Sequence, residues 1–250
     1  MPSSISYTDR MTSKTGSRRH PVQSELTRRI VTGHFPPQTR LPKESELATE
    51  FEVSRVVIRE AMKVLAEKGL VDIQQGRGTT VNPTECWNPM DPLVLMHLGQ
   101  GQAFYTVQAE LLEARMIFEV QLAGLAATRM SEKELGHLET LLRTMDQCID
   151  QPEQFHLLDA DFHVALVRGG KNAILVKLLE PVHDLLRVGF RQTILTPGTP
   201  HQAQVYHWAI YTALRRHDPQ ATQDAVRQHL ISAQERLSEL GEWLSVKVEG

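Results

Sequence analysis

Three cations, Arg55, Arg59 and Lys63, recur at every fourth residue. On a helix that spacing lines them along one face, with Ile58, Ala61, Met62 and Leu65 on the other. Such a helix suits the major groove of DNA, where arginine reads guanine bidentately and also binds phosphate. Arg77, between Gly76 and Gly78, is placed for a neighbouring backbone or minor groove. The same charge stripe would equally serve as the solvated face of an ordinary small domain. A second group lies far down the chain. Asp159 and His163 stand four residues apart, so a helix projects both from one face, a spacing that suits two ligands of one metal ion or a plain surface pair. His207 and His229 lie near the middles of two other amphipathic stretches, where a lone histidine serves as a polar residue as readily as a ligand. Arg115 sits among apolar neighbours, and its ordinary role is a surface ion pair with Glu119 one turn on. Asn172 is placed first of all as a helix cap.

The elements that must position these residues follow from periodicity. Pro21, Val22, Leu26 and Ile30 open a helix that Gly33 stops, followed by an extended turn at Phe35-Pro36-Pro37. A short helix is predicted over about 44–51. Ser54 caps a longer one running to Lys68, with Gly69 at its C-terminal end. Leu70–Gln74 and Thr79–Val81 form a tight hairpin around Gly76 and Arg77. Three helices and a hairpin within about sixty residues outline a winged helix-turn-helix.

Beyond a Pro/Asn-rich stretch everything reads as helix: 103–129, a helix opened by the capping box Ser131–Glu134, then 153–168, 173–191, 201–216 and 220–240. The expected fold is mainly α: a winged helix-turn-helix with a small β-hairpin wing, then an all-α bundle of six or seven helices. The expected division is a disordered tail over 1–19, a DNA-binding domain over 20–83, a linker over 84–95, a helical domain over 96–240 and a C-terminal tail over 241–250.

Composition agrees with two jobs on one chain. Residues 1–83 carry 13 Lys and Arg against 9 Asp and Glu, whereas 84–250 carry 14 against 21. Nine of the 11 histidines lie at or beyond His97. A basic front and an acidic, histidine-rich back suggest nucleic-acid contact in one half and metal-linked chemistry in the other. No run of apolar residues is long enough to span a membrane, and the first twenty residues hold no apolar signal core. Cys86 and Cys148 form no CxxC pattern, so a cytoplasmic protein with reduced thiols is expected.

The order of motifs narrows this further. Phe35-Pro36-Pro37, Leu41-Pro42-Lys43-Glu44-Ser45-Glu46-Leu47, Val53–Ala61, Gly69-Leu70 and Gly76-Arg77-Gly78 closely resemble the reading head of GntR-family bacterial transcription regulators. The resemblance implies DNA contacts from Arg55 and Arg59 in the recognition helix and from Gly76 and Arg77 in the wing. Ser45 stands where many members carry a DNA-touching Arg and can only hydrogen-bond; Val56 offers an apolar contact where some carry Thr. Leu112–Arg115 with Glu119, Asp159–His163, Gly170-Lys171-Asn172, His207–Ile210 and Arg227–Leu230 resemble the FCD sensor domain of the FadR-type subfamily. That resemblance implies a divalent metal, zinc first with nickel or manganese as alternatives, held by Asp159, His163, His207 and His229. It also implies a carboxylate effector met by Arg115, with Asn172 nearby. His156, His183, His201 and His217 match no ligand position. Trp87–Pro92 is similar to a segment of sugar-acid-responsive members. The implied protein is a homodimeric regulator, expected to repress, whose partners are operator DNA and a small organic acid. The rival expectation is a metal-dependent enzyme built on the same Asp/His set.

Overall fold

The protein is described by a computed structural model over residues 19–99, 102–193 and 199–248. The expected tail over 1–19 lies outside these residues except for Arg19, where the first helix begins. The chain forms two compact units divided between Leu98 and Gly99.

In the first unit α1 (Arg19–Val31), α2 (Glu44–Glu50) and α3 (Arg55–Glu67) close around a core of Leu26, Ile30, Leu47, Ile58, Met62 and Leu65. Each helix contributes one apolar stripe, as amphipathic periodicity requires. The Ser54 side chain accepts from Val57 N and starts α3. β1 (Val71–Gln74) and β2 (Gly78–Val81) pair antiparallel with Gln74 opposite Gly78, and Arg40 adds a bridge to Thr80. Gly76 and Gly78 turn the hairpin in the left-handed region, at φ 79° and 95°, which glycine adopts without penalty.

The stretch expected to be a linker is packed onto this unit. Trp87 is buried against the helix-turn-helix core, and its indole N–H donates to Asn82 O at 3.1 Å. Asn88 N donates to Lys68 O, and Lys68 Nζ pairs with Asp91 Oδ1 at 2.9 Å. Asp91 then caps α4 (Pro92–His97) by accepting from Leu93 N and Val94 N. Gly69 makes this docking possible. Its φ is +73°, and a Cβ there would stand 2.0 Å from Cys86 O.

The second unit holds six helices among the described residues: α5 (Gln102–Arg129), α6 (Glu132–Gln147), α7 (Pro152–Gly169), α8 (Ala173–Thr193), α9 (Thr199–Arg215) and α10 (Pro219–Val248). Ser131 and Glu134 form the expected capping box at α6. α5 is central, packed against α7, α8, α9 and α10. The expected tail over 241–250 is instead a continuation of α10 to Val248.

Candidate metal centre and DNA-reading face

α7 supplies Asp159 and His163, α9 supplies His207, and α10 supplies His229. One ligating atom from each lies within 4.8 Å of every other. The histidines are buried, while the Asp159 side chain keeps 16% of its exposure. Four residues spread over seventy positions thus converge because three helices pack with their histidine faces inward.

The hydrogen-bond chemistry shows what this cluster suits. Gln204 spends both amide hydrogens on Leu142 O, at 2.9 Å, and Asp146 Oδ1, at 2.7 Å. Its Oε1 is therefore an acceptor for His207 Nδ1 at 3.2 Å. His207 Nε2 then faces Asp159 Oδ1, only 2.9 Å away. Likewise His163 Nδ1 stands 3.1 Å from Glu119 Oε2, out of line for a good hydrogen bond but close enough to favour its proton. That leaves His163 Nε2 facing His229 Nε2 at 3.1 Å. His229 Nδ1 has no partner, so His229 Nε2 is free to carry the proton and donate to His163 Nε2; between His207 and Asp159 two acceptors meet unless a proton or a cation lies between them. Burial pushes His163 and His229 below the usual imidazole range, which disfavours the proton. Burial opposes ionisation of Asp159, yet the facing His207 and His163 hold its carboxyl well below the ordinary range. Three imidazoles and one carboxylate are a donor set for a divalent metal.

Behind the candidate ligands lies a buried network that the sequence only partly discloses. Arg115 and Glu119 do pair one turn apart on α5, at 2.6 and 3.2 Å, but inside the bundle rather than at its surface. α5 is surrounded by four helices, so the face that carries this pair has no solvent beside it. Glu119 also takes a 2.8 Å contact from His183 Nε2 of α8. Burial alone would raise the Glu119 carboxyl, but Arg115 and His163 hold it well below its usual range. His183, without a ligand match in sequence, thus belongs to the network one residue behind the centre. The signal for Glu119 is its i+4 position after Arg115; that for Gln204 is its i−3 position before His207. Asn172 accepts from Leu175 N at 3.2 Å as the α8 cap and makes no hydrogen bond to the cluster among the described residues. Asp161 points away, paired with Arg187 at 2.5 Å.

The candidate reading face belongs to the first unit. Arg55, Val56, Arg59 and Lys63 are exposed on α3 and Gly76 and Arg77 at the wing tip. Val56 is 61% exposed, unusual for an apolar side chain and suited to a thymine methyl. Arg59 lies 3.1 Å from Glu44, and Lys63 3.0 Å from Glu60, as exposed pairs that DNA phosphate can displace. Ser45, half-buried on α2, accepts from Thr49 Oγ1 through its backbone carbonyl.

A helix-turn-helix reading head joined to a helical bundle with a ligand-ready centre defines a DNA-binding regulator rather than an enzyme. The comparisons agree with this class. Residues 19–81 match the bacterial regulatory proteins of the gntR family, and residues 110–232 match the FCD domain. The galactonate operon transcriptional repressor of Escherichia coli K12 is 30% identical over 216 residues, covering 86% of this chain and 94% of that one. The Uxu operon regulator of Haemophilus influenzae is 28% identical, covering 87% and 80%. A solved structure of Lar, which controls expression of the Listeria monocytogenes agr system, shares the fold with a TM-score of 0.65. It is 19% identical and covers 91% of this chain and all of that one. The chain belongs to the GntR family of transcription regulators, in the FadR-type subfamily that carries an FCD domain. No helix among the described residues is long and apolar enough to cross a membrane.

Proposed function

We propose that the protein is a homodimeric repressor that reads an operator through α3 and the wing. A small organic acid, of the sugar-acid class, controls it by binding at a divalent metal held by Asp159, His163, His207 and His229. The observation that carries this reading is the Asp/His₃ cluster, whose four ligating atoms lie within 4.8 Å of one another with all three histidines buried. Zinc fits the donor set best, with nickel and manganese as alternatives. Held by these four side chains, such a metal would supply Lewis acidity to a carboxylate that joins it by raising its coordination above four. Arg115, the cation expected to meet that acid, has its charge taken up by Glu119 and would have to exchange partners. Asn172 contributes as the α8 cap. Arg55, Arg59, Lys63, Ser45, Val56, Gly76 and Arg77 form the proposed DNA contacts. Dimerisation follows from recognition logic, because one small module binds modestly and two-fold half-sites require a two-fold protein. Cytoplasmic residence accords with this role.

The test is metal analysis of purified protein together with footprinting on its own upstream region, with and without D-galactonate. One divalent ion per chain, and a protected site whose occupancy changes with acid, are expected. An unprotected operator region in every metal-loaded preparation would overturn the reading.

A further inference from the structure

The three clustered histidines differ in what stands behind them. His163 Nδ1 lies 3.1 Å from a Glu119 carboxylate oxygen, and His229 Nδ1 is buried without a hydrogen-bond partner. His207 is connected to the surface of the bundle through two further side chains. Its Nδ1 meets Gln204 Oε1 at 3.2 Å, and Gln204 Nε2 donates to Asp146 Oδ1 at 2.7 Å. Gln204 is only 4% exposed, whereas Asp146 is exposed on the last turn of α6. Trp208 Nε1 donates to the same Asp146 oxygen at 3.3 Å, a second donor that holds the carboxylate in place.

A glutamine amide can be turned over, its oxygen and nitrogen exchanged, with little change in shape. What the two ends face decides the orientation. Leu142 and Asp146 stand one turn apart on α6 and present two acceptors to Gln204 Nε2: the Leu142 carbonyl at 2.9 Å and the Asp146 carboxylate. Turning the amide over would set Gln204 Oε1 against both. The oxygen is therefore held toward His207, where it can only accept. His207 Nδ1 must then carry a hydrogen, and Nε2 is the nitrogen left for a cation. Hydrogen bonds in such a chain also polarise one another. The charge on Asp146 draws on the amide N–H and makes Oε1 a stronger acceptor, which makes the imidazole a stronger ligand. The result is a carboxylate–histidine support lengthened by one amide.

Resting on the metal-binding reading above, we propose that Asp146 is a positioning residue for the Asp/His₃ centre. It touches none of the four candidate ligands. It acts through Gln204, by fixing which nitrogen of His207 faces the cluster.

The experiment compares zinc affinity, by competition with a chromophoric chelator, in full-length wild type, Asp146→Ala, Asp146→Asn, Gln204→Leu and the double variant Gln204→Leu with Asp146→Ala. Nitrogen-edited NMR follows the His207 Nδ1 proton, assigned by its absence in His207→Gln. Asp146→Ala is expected to weaken zinc by about tenfold, the lower end of the range for partners behind metal ligands. It should also speed exchange of the Nδ1 proton with solvent. Asp146→Asn keeps an oxygen that can accept from Gln204, so it should recover most of both losses. In Gln204→Leu the connection is already gone, and adding Asp146→Ala should change zinc affinity no further. Unaltered zinc affinity in Asp146→Ala would overturn the proposal. An equal loss in Asp146→Asn would do so too, as would an undiminished effect of Asp146→Ala in the Gln204→Leu background. A weakened site whose Nδ1 proton exchanges as in the wild type would mark a general structural role and overturn it likewise. If the wild type itself binds no zinc, the metal-binding reading fails. The Nδ1 proton, followed in the metal-free protein, then still decides whether Asp146 holds it.

Discussion

Glu119 is the residue on which most of the buried chemistry converges. It is paired bidentately with Arg115, takes a contact from His183 and stands beside His163. Partners behind the ligands fix ring orientation and proton position, and their loss typically weakens metal binding by about 10–100-fold. Glu119→Gln is therefore expected to lower zinc affinity by about that factor, measured by competition with a chromophoric chelator. His183→Ala should lower it less. His201→Ala, which alters an exposed side chain 3.7 Å from Asp150, should leave it unchanged. Equal zinc affinity in Glu119→Gln and the wild type would remove the carboxylate from the metal's support. Arg115→Ala is a harsher change, because it strands a buried carboxylate; such losses cost about 3–5 kcal/mol. A second prediction concerns acid. Burial pushes His156 down to about 4 from an ordinary 6.5. The unfolded chain thus takes its proton first as pH falls, so this contribution to stability is complete above pH 6.5 and is lost toward pH 4. Its ceiling is about 3 kcal/mol by the usual conversion of a pKa shift. His163 and His229 shift in the same direction. Thermal melts of chelated protein should therefore fall between pH 7 and 5, and His156→Gln should fall less steeply.

At the scale of elements, Gly69 decides whether 84–98 belongs to the reading head. Any side chain there meets the Cys86 carbonyl, and the positive φ adds strain of its own. Gly69→Ala should therefore destabilise the first unit by at least 1 kcal/mol and loosen Trp87, visible as a red shift of tryptophan emission in Gly69→Ala relative to the wild type. An unchanged melting profile and spectrum would mean the 3-10 turn over Thr84–Cys86 yields freely. The helices themselves were legible in the sequence, because apolar steps of three and four, Ser54, the Ser131–Glu134 box and Asp218-Pro219 mark their faces and ends. The Asp/His₃ quartet came only through order and resemblance: Asp159–His163 is local, but His207 and His229 reach it by packing that no spacing encodes. Proline and asparagine made 84–95 look like a linker, since turn residues mark a bend without saying whether the bend docks. The burial of the Arg115–Glu119 pair is hidden from spacing for a related reason. Periodicity gives a helix one apolar stripe, whereas α5 is enclosed by four neighbours and buries polar positions too.

For the whole molecule, the proposal is that events in the second unit change the work of the first. Binding to phosphates by Arg55, Arg59, Lys63 and Arg77 releases counterions, so operator affinity should fall steeply with salt. Arg77→Ala should reduce that slope by about one unit, while Arg59→Ala should cost about 1–3 kcal/mol at its preferred base and relax specificity there. Neither variant touches the histidine cluster, so both should keep full metal. Coupling between the units is a stricter matter, because it is a free energy and must be reciprocal. If an acid lowers operator affinity by some factor, operator duplex must lower acid affinity by the same factor. Titration calorimetry with D-galactonate on the zinc-loaded protein, alone and saturated with operator duplex, measures one side of this cycle. Operator titrations with and without the acid measure the other. The two ratios should agree and lie within about 5–150-fold, the usual range for coupled sites. Removal of the metal should shrink both ratios together, since a weaker bound acid has less differential affinity to spend on either state, while leaving the reading face intact. Identical acid affinity in the presence and absence of operator would mean that the two units merely share a chain, and that the metal centre answers to something other than DNA.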